Sequence, residues 1–279
     1  MEIALVHRLS ILSHPQRMAI FRLLMRRYPN ALPAGEITQV LNLKASTASQ
    51  YLSALMNVQL ILQERRGTTL LYRMNLEAAR AVIADFFVDC CRGRPDLCEP
   101  FFDYPRSRFT QTSGQKHNVL FICTGNSARS IFAEAIMRHE ARDRFNVYSA
   151  GSHHQSEINP HAIEILENHG IETAGLRSKN TSEFRAGDAP TMDFVFTVCD
   201  LAANEDCPPW SGQPVSAHWS LPDPAKASGN ASEKSLAFQQ SFGAISIRIN
   251  AFTALPVEAL DRVSLQYKVD EIGKMMGMQ

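Results

Sequence analysis

The chain has 279 residues, of which 28 are Lys or Arg and 28 are Asp or Glu, so its formal net charge at pH 7 is zero. This length is natural for two domains, and the charge divides between them: residues 1–115 contain 14 basic and 9 acidic residues, whereas residues 116–279 contain 14 and 19. Because no apolar run reaches the ~18 residues that span a bilayer and no signal-peptide pattern opens the chain, we exclude a membrane partner and expect a cytoplasmic protein.

The six cysteines form two groups of three. In a reducing compartment they are more typical of ligands or redox-active thiols than of structural disulfides. The first group is Cys90, Cys91 and Cys98, and the second is Cys123, Cys199 and Cys207.

The first elements in the chain are predicted helices. Apolar residues recur at helical spacing from residue 5 to 24, and Ser13-His14-Pro15 divides them into two helices. A short helix over 34–41, a turn, and a helix capped by Ser46 over 47–56 then match the helix-turn-helix layout, in which the second helix enters the DNA major groove. The candidate DNA contacts on that helix are Ser46, Thr47, Ser49, Gln50 and Tyr51.

Two β-prone runs follow between residues 60 and 75, around an Arg-Gly turn, and they predict a β-hairpin. Arg65, Arg66 and Arg73 on this hairpin would contact phosphates. Residues 5–90 resemble the ArsR family of winged-helix repressors, with residues 12–17 and 46–52 as the matching segments. The resemblance implies an α+β winged helix-turn-helix domain, operator DNA as partner and a homodimer; a winged helix that binds protein is the alternative.

A helix over residues 77–88 has an apolar stripe suited to the dimer contact, and Cys90, Cys91 and Cys98 follow it. Three thiolates suit a trivalent thiophilic ion, As(III) or Sb(III), which would act as inducer. Zinc would want a fourth ligand, and none is evident in the sequence nearby. The alternative is a linker with incidental thiols. We therefore predict a winged-helix domain over 1–92, a linker over 93–116 and a second domain over 117–279.

The second domain begins with an apolar run that ends at Cys123 and continues through a loop of short residues into a helical pattern. Strand, anion loop and helix in this order place backbone N–H groups around a tetrahedral oxyanion, and Arg129 adds a planar fork for two of its oxygens. The positive field and the Ser130 hydroxyl would favour a thiolate at Cys123. A buried structural cysteine is the alternative. The predicted oxyanion-binding residues are Thr124, Gly125, Asn126, Ser127, Ala128, Arg129 and Ser130.

The rest of the domain alternates predicted strands and helices. We expect an amphipathic helix over 131–139, strands over 145–151, 194–200 and 215–219, and helices over 160–169 and 236–255. This alternation predicts an α/β domain with a parallel sheet whose ligand lies at the carboxyl ends of the strands, where Cys123 and Cys199 could meet.

Two chemistries can use such a loop. In a tyrosine phosphatase the cysteine attacks phosphorus and an aspartic acid protonates the leaving group. In an arsenate reductase it attacks arsenic, and further thiols complete the reduction. Cys199 and Cys207, separated by a predicted flexible loop, favour the second, with Asp223 as the acid. Ala225 replaces the aromatic residue that commonly follows the Asp-Pro pair in phosphatases. We expect His218 to orient the Asp223 loop rather than to bind a metal.

Residues 117–273 are similar to the arsenate reductases built on the low-molecular-weight phosphatase fold, with residues 176–179 and 260–262 as further matching segments. This resemblance implies that Cys123, Arg129, Cys199, Cys207 and Asp223 reduce arsenate without a tightly bound cofactor. An external reductant, either thioredoxin or glutaredoxin with glutathione, would complete the cycle. The alternatives are a tyrosine-phosphatase-like or a non-catalytic oxyanion-binding domain fused to the repressor.

Overall fold

The computed structural model describes residues 2–91, 116–154, 157–205 and 210–275. The chain divides into two compact units, residues 1–108 and residues 109–279. Each unit has its own hydrophobic core. Within the described ranges, no helix is long and apolar enough to cross a bilayer.

The N-terminal unit is built from five helices and a small sheet among its described residues. Strands β1, β2 and β3 form an antiparallel sheet in the order β1-β3-β2. The elements are α1 Glu2–Leu12, α2 Pro15–Arg26, β1 Leu32–Pro33, α3 Ala34–Val40, α4 Ala45–Asn57, β2 Ile61–Arg66, β3 Thr69–Met74 and α5 Leu76–Asp85.

The predicted helix break at residues 13–15 is confirmed. Pro15 is the first residue of α2, and the His14 side chain caps that helix by accepting a hydrogen bond from the Gln16 backbone N–H. The predicted cap of α4 is wrong, because the helix begins at Ala45 and its cap residue is Lys44, which makes no side-chain cap hydrogen bond. Asn42 adopts a positive φ of 49° that ends α3, and the extended Lys44 then leads directly into the helix, so Ser46 lies inside its first turn.

Helix α4 packs its predicted stripe of Ala48, Leu52 and Leu55 into the core, where each is at most 1% exposed. The hairpin of β2 and β3 turns at Gly67, whose φ of +60° is the left-handed region that glycine adopts without strain. Helix α5 ends earlier than the predicted residue 88, and a π-helical turn, Phe86–Cys90, continues it.

The C-terminal unit contains a four-stranded, entirely parallel sheet in the order β5-β4-β6-β7, which confirms the predicted α/β class. Its helices pack against the sheet and against one another. The elements are β4 His117–Cys123, α6 Arg129–Ala141, β5 Phe145–Gly151, α7 Pro160–Asn168, β6 Phe194–Thr197, α8 Asp200–Asn204, β7 Val215–His218, α9 Ala231–Thr253 and α10 Arg262–Lys274.

This unit differs from the prediction at two predicted elements and at one helix that was not predicted. Helix α6 is buried along most of its length rather than amphipathic, because the sheet covers one side and α9 covers another. Strand β6 ends at Thr197 rather than at residue 200, and the chain enters α8 where a flexible loop was predicted, with Cys199 as its cap residue. Helix α10 was not predicted at all; Asp261 caps it by accepting from two backbone N–H groups.

Candidate active site

Two thiols lie at the carboxyl ends of adjacent strands. Cys123 is the last residue of β4, and Cys199 follows β6, the strand that pairs with β4. The backbone N–H of Val198 donates to the carbonyl of Ile122 over 2.8 Å, so the two strand ends are held together. Both cysteines are nearly fully buried, and the Thr124 hydroxyl oxygen lies 3.3 Å from the Cys199 sulfur. The geometry therefore places both thiols on the same edge of the sheet.

The loop between β4 and α6 surrounds the first of these sulfurs. The backbone N–H of Asn126 donates to Cys123 Sγ over 3.1 Å, and Ser130 Oγ lies 2.9 Å from the same sulfur. Asn126 has a positive φ of 47°, which turns the loop back over the cysteine. The predicted contact between Ser130 and the thiol is thus present in the folded unit.

The side chain of Asn126 decides how the Ser130 hydroxyl is oriented. The backbone N–H of Lys179 donates to Asn126 Oδ1 over 2.7 Å, so the amide nitrogen Nδ2 faces Ser130 Oγ and Ser149 Oγ, each at 2.8 Å. Because Ser130 Oγ accepts from this amide, its own proton is free to point at the sulfur of Cys123. Asn126 is fully buried and connects the loop to two distant segments.

A buried ion pair, Glu134 with Lys179, contacts this hydrogen-bond network. Glu134 is fully buried on α6, and its carboxylate accepts from Ser149 and from the Lys179 ammonium, which lies 3.0 Å away. Arg138 forms a second ion pair with it. Burial lowers the pKa of Lys179, and the neighbouring carboxylate of Glu134 partly offsets that effect. No motif in the sequence marks Glu134, Ser149 or Lys179 as part of the site.

Gly151 lets strand β5 approach the loop closely. A Cβ atom at this position would lie 2.6 Å from the Thr124 carbonyl oxygen and 3.0 Å from the Asn126 nitrogen. Both are backbone atoms and cannot move away cheaply, so the position requires glycine.

The expectation of an ionised Cys123 is not supported by the folded unit. Burial raises the pKa of this thiol above its ordinary value, and the neighbouring Cys199 raises it further. The hydrogen bond from Ser130 and the charge of Arg129 lower the pKa but do not overcome these two effects. The positive groups near Cys123 are visible in the sequence, but the burial that desolvates the thiol arises only in the fold.

Arg129, the first residue of α6, is held by the loop that contains Asp223. One guanidinium nitrogen donates to the Leu221 carbonyl over 2.9 Å, and the other lies 2.9 Å from Asp223 Oδ2. The Asp223 side chain is 26% exposed. The structure therefore brings the predicted acid next to the arginine that begins α6, a contact that the sequence could not specify.

His218 does not have the contacts predicted for it. Its ring nitrogens lie 2.9 Å from Thr197 Oγ1 and 2.9 Å from Asp200 Oδ1, so it connects β6 and β7 to α8. The expected contact with the Asp223 loop is replaced by one with the helix that follows Cys199, because Asp200 is brought alongside the end of β7.

Two of the predicted thiols lie outside the described residues, namely Cys98 and Cys207. Cys90 is exposed and Cys91 is half-buried at the end of the π-helical turn. Among the residues that the structure describes, no group of three or more His, Cys, Asp or Glu side chains could hold a metal ion.

The predicted DNA contacts of the N-terminal unit are accessible to different degrees. Ser46, Ser49 and Gln50 are exposed on α4, whereas Thr47 and Tyr51 are half-buried. Arg65 and Arg66 are exposed at the hairpin, Arg73 is half-buried, and Arg66 and Arg73 both lie near the carboxylate of Glu64, at 2.8 and 3.9 Å.

Comparison with known proteins shows which proteins the C-terminal unit resembles. The arsenate reductase of Shouchella clausii is 37% identical over 138 residues, which are 49% of this chain and 95% of that protein. The arsenate reductase of Bacillus subtilis is 35% identical over 135 residues, which are 48% of this chain and 93% of that protein. A solved structure of the Corynebacterium glutamicum thioredoxin-dependent arsenate reductase is 20% identical, with a TM-score of 0.38 and coverage of 78% of this chain and 90% of that one.

Residues 118–262 match the low molecular weight phosphotyrosine protein phosphatase family, a range that includes Cys123, Arg129, Cys199 and Asp223. Since this match covers more than half of the chain, the protein belongs to the low molecular weight phosphotyrosine protein phosphatase family.

Proposed function

We propose that the C-terminal unit reduces arsenate to arsenite with the thiols of Cys123, Cys199 and Cys207. The observation that supports this most directly is the pair of buried thiols at the ends of strands β4 and β6, with the Thr124 hydroxyl 3.3 Å from the second sulfur. A phosphatase needs only the first thiol. The relatives named arsenate reductase, which align along most of their own length, point to the same chemistry.

In the first step, arsenate binds in the loop of residues 124–130, and Cys123 attacks arsenic through the minor thiolate fraction that its raised pKa leaves near neutral pH. Arg129 and the backbone N–H groups at the start of α6 stabilise the oxyanion. An As–OH group leaves as water, and Asp223 is the general acid that supplies its proton. The 2.9 Å contact of Asp223 with Arg129 holds the acid at the edge of this pocket.

In the second step, Cys199 attacks the sulfur of the Cys123–arsenic adduct. The S–S bond forms, the S–As bond breaks, and the bonding electron pair stays with arsenic, which leaves as arsenite. Two thiols are thereby oxidised while As(V) becomes As(III). Cys207 would then attack Cys199, free Cys123, and leave a Cys199–Cys207 disulfide for thioredoxin, or for glutaredoxin with glutathione, to reduce.

A steady-state assay of arsenate reduction with the thioredoxin system, run in parallel with an aryl phosphate hydrolysis assay, tests this proposal. We expect arsenite to accumulate over many turnovers. Hydrolysis of the phosphate ester with no arsenite formed would favour the phosphatase alternative, and activity in neither assay would favour a domain that only binds oxyanions.

We further propose that the N-terminal unit is a winged-helix repressor that binds operator DNA. Support comes from the exposed polar side chains Ser46, Ser49 and Gln50 on the first turns of α4, which follows α3 after a tight turn. The exposed Arg65 and Arg66 at the adjacent hairpin suit phosphate contacts. A mobility-shift assay with the DNA upstream of the gene that encodes this protein tests the proposal. The absence of a shift at low salt would contradict it.

The repressor would act as a homodimer. Support comes from apolar side chains that α5 and the following π-helical turn leave exposed: Ile83 at 65%, Phe86 at 45% and Val88 at 60%. A second copy would cover this face. Sedimentation of the Phe86→Asp variant tests it, because a charged side chain in the contact should yield monomers, whereas an unchanged dimer would contradict the placement.

Arsenite would act as the inducer by binding Cys90, Cys91 and Cys98. Cys90 and Cys91 stand at the end of the turn that continues α5, so capture of the ion there would restrain the proposed dimer contact. The triple Cys→Ser variant at these positions should stay on DNA when arsenite is added, while the Cys123→Ser control should release it. Release by the triple variant would refute this site.

A further inference from the structure

Helix α8, which begins directly after Cys199, is too short to be stable without contacts to the rest of the fold. It spans only five residues, Asp200–Asn204, and isolated helices of this length are unstable in water. Its first residue is Asp200, and the Cys199 sulfur caps it by accepting from the Ala202 backbone N–H at 3.4 Å. Tertiary contacts must therefore decide where Cys199 lies.

The ring of His218 supplies such a contact. His218 is the last residue of β7 and is only 2% exposed. Its Nδ1 lies 2.9 Å from the hydroxyl oxygen of Thr197, the residue it pairs with on β6, and its Nε2 lies 2.9 Å from Asp200 Oδ1. An ionised Asp200 only accepts, so Nε2 donates to it. The ring thus links the end of the sheet to the first residue of α8.

Ser220 adds a second donor to the same oxygen. Its hydroxyl lies 2.6 Å from Asp200 Oδ1, so one carboxylate oxygen receives two hydrogen bonds from the segment that follows β7. The Asp200 side chain is 44% exposed on its other side. The His218 and Ser220 contacts thus tie the first residue of α8 to the segment around the end of β7, and loss of the His218 contact would weaken that tie.

We infer that His218 and Asp200 are positioning residues for the second thiol: they hold Cys199 within reach of Cys123 and of an adduct formed on it. This inference rests on the proposed arsenate reduction for its role in turnover. Misplacement of a reacting group by about 1 Å can slow a step about 100-fold. Loss of the His218–Asp200 contact should therefore slow attack by Cys199 without affecting Cys123.

Two substitutions of His218 separate its contacts. The amide of His218→Gln reaches the place of Nε2 and can still donate to Asp200, whereas the amide of His218→Asn reaches only the place of Nδ1 and keeps the Thr197 contact alone. Asp200→Ala removes the His218 and Ser220 contacts together, and because the Asp200 side chain is 44% exposed, the substitution leaves no buried cavity.

The experiment uses the full chain in a Cys207→Ser background, so that oxidation stops at the Cys123–Cys199 disulfide. Disulfide formation is followed by peptide mass mapping after addition of either arsenate or diamide, an azo compound that is reduced to its hydrazine as it oxidises two thiols. The alkylation rate of Cys123 by iodoacetamide reports the first thiol separately, and the melting temperature reports folding.

We expect His218→Asn and Asp200→Ala to slow disulfide formation about 10- to 100-fold with both oxidants, His218→Gln to stay within about 3-fold, and Cys123 alkylation to stay within about 2-fold. If His218→Asn fails to fold, Asp200→Ala decides the question. Equal rates for the Gln and Asn variants, or a parallel loss of Cys123 alkylation, would overturn the inference. The expected pattern with diamide but no thiol oxidation by arsenate in any variant would refute the reductase and leave the positioning role standing.

Discussion

The two units present their candidate functional side chains in opposite ways. In the C-terminal unit, Cys123, Asn126 and Ser130 are buried and contact one another, and the Asn126 side chain also bonds to Ser149 and Lys179 from distant parts of the fold. In the N-terminal unit, Gln50 and Arg66 are exposed, and the ion pair of Arg66 is with Glu64 of the same strand. A buried hydrogen-bond network fixes the positions of its groups and so restricts the reactions that they can carry out. Exposed side chains are not fixed in this way, and their ligand must be identified by binding experiments. Substitutions should accordingly have large effects in the C-terminal unit and small ones in the N-terminal unit.

The largest effect is expected at the nucleophile. Cys123→Ser should abolish arsenate reduction, because a serine hydroxyl remains protonated and cannot form the disulfide that reduces arsenic. The variant should keep the wild-type melting temperature, since the side chain has nearly the same shape. Measurable turnover by Cys123→Ser in the thioredoxin-coupled assay would contradict the assigned nucleophile.

The next effect concerns the buried ion pair. Lys179→Met should destabilise the C-terminal unit by about 3–5 kcal/mol, because the buried Glu134 carboxylate loses the ammonium group with which it forms an ion pair. The matched control is Arg177→Met, which removes the exposed ion pair of Arg177 with Glu183 and should cost less than about 1 kcal/mol. Urea unfolding of both variants measures the difference. Similar losses would show that burial of Glu134 does not control stability here.

A smaller effect is expected from the hydroxyl next to the nucleophile. Because the pKa of Cys123 is raised, its thiolate fraction and its alkylation rate should increase as the pH rises above neutrality. Ser130→Ala removes a hydrogen bond that lowers this pKa, so the whole profile should move to higher pH and alkylation at pH 8 should slow about 5- to 30-fold. Iodoacetamide kinetics across the pH range provide the measurement. A profile that moves to lower pH would reverse the assigned role of Ser130.

The smallest effect is expected on the hairpin of the N-terminal unit. If the N-terminal unit binds DNA as proposed, with Arg66 on phosphate rather than on bases, Arg66→Ala should weaken binding about equally for all sequences and reduce the slope of log K against log salt by about 1. Gln50→Ala, on α4, is the comparison and should alter sequence preference instead. An equal loss of sequence preference in both variants would contradict this, because it would mean that the hairpin contacts bases in a DNA groove.

Much of the C-terminal fold was predictable, because hydrophobic runs and helix caps are local signals. The β4 strand, the turn at Asn126 and the α6 start follow one another within residues 117–130. Helix α10 could also have been found: Asp261 is a good cap residue, and Leu265, Val269 and Ile272 recur at helical spacing.

The remaining parts of the site depend on contacts between distant residues. Glu134 and Lys179 are 45 positions apart, and Arg129 contacts a carbonyl 92 positions away. No pattern in a single sequence specifies such pairs. For the same reason the protonation of Cys123 was predicted wrongly, because the extent to which the other elements desolvate the thiol is known only from the fold.

The stoichiometry of a reaction without external reductant tests arsenate reduction by Cys123 and Cys199 most directly. Full-length Cys207→Ser protein is mixed with excess arsenate, and arsenite is counted against the thiols that disappear. We expect one arsenite per chain, together with a disulfide that peptide mapping assigns to Cys123 and Cys199. Arsenite formed without loss of these two thiols, or a disulfide that excludes Cys199, would contradict it.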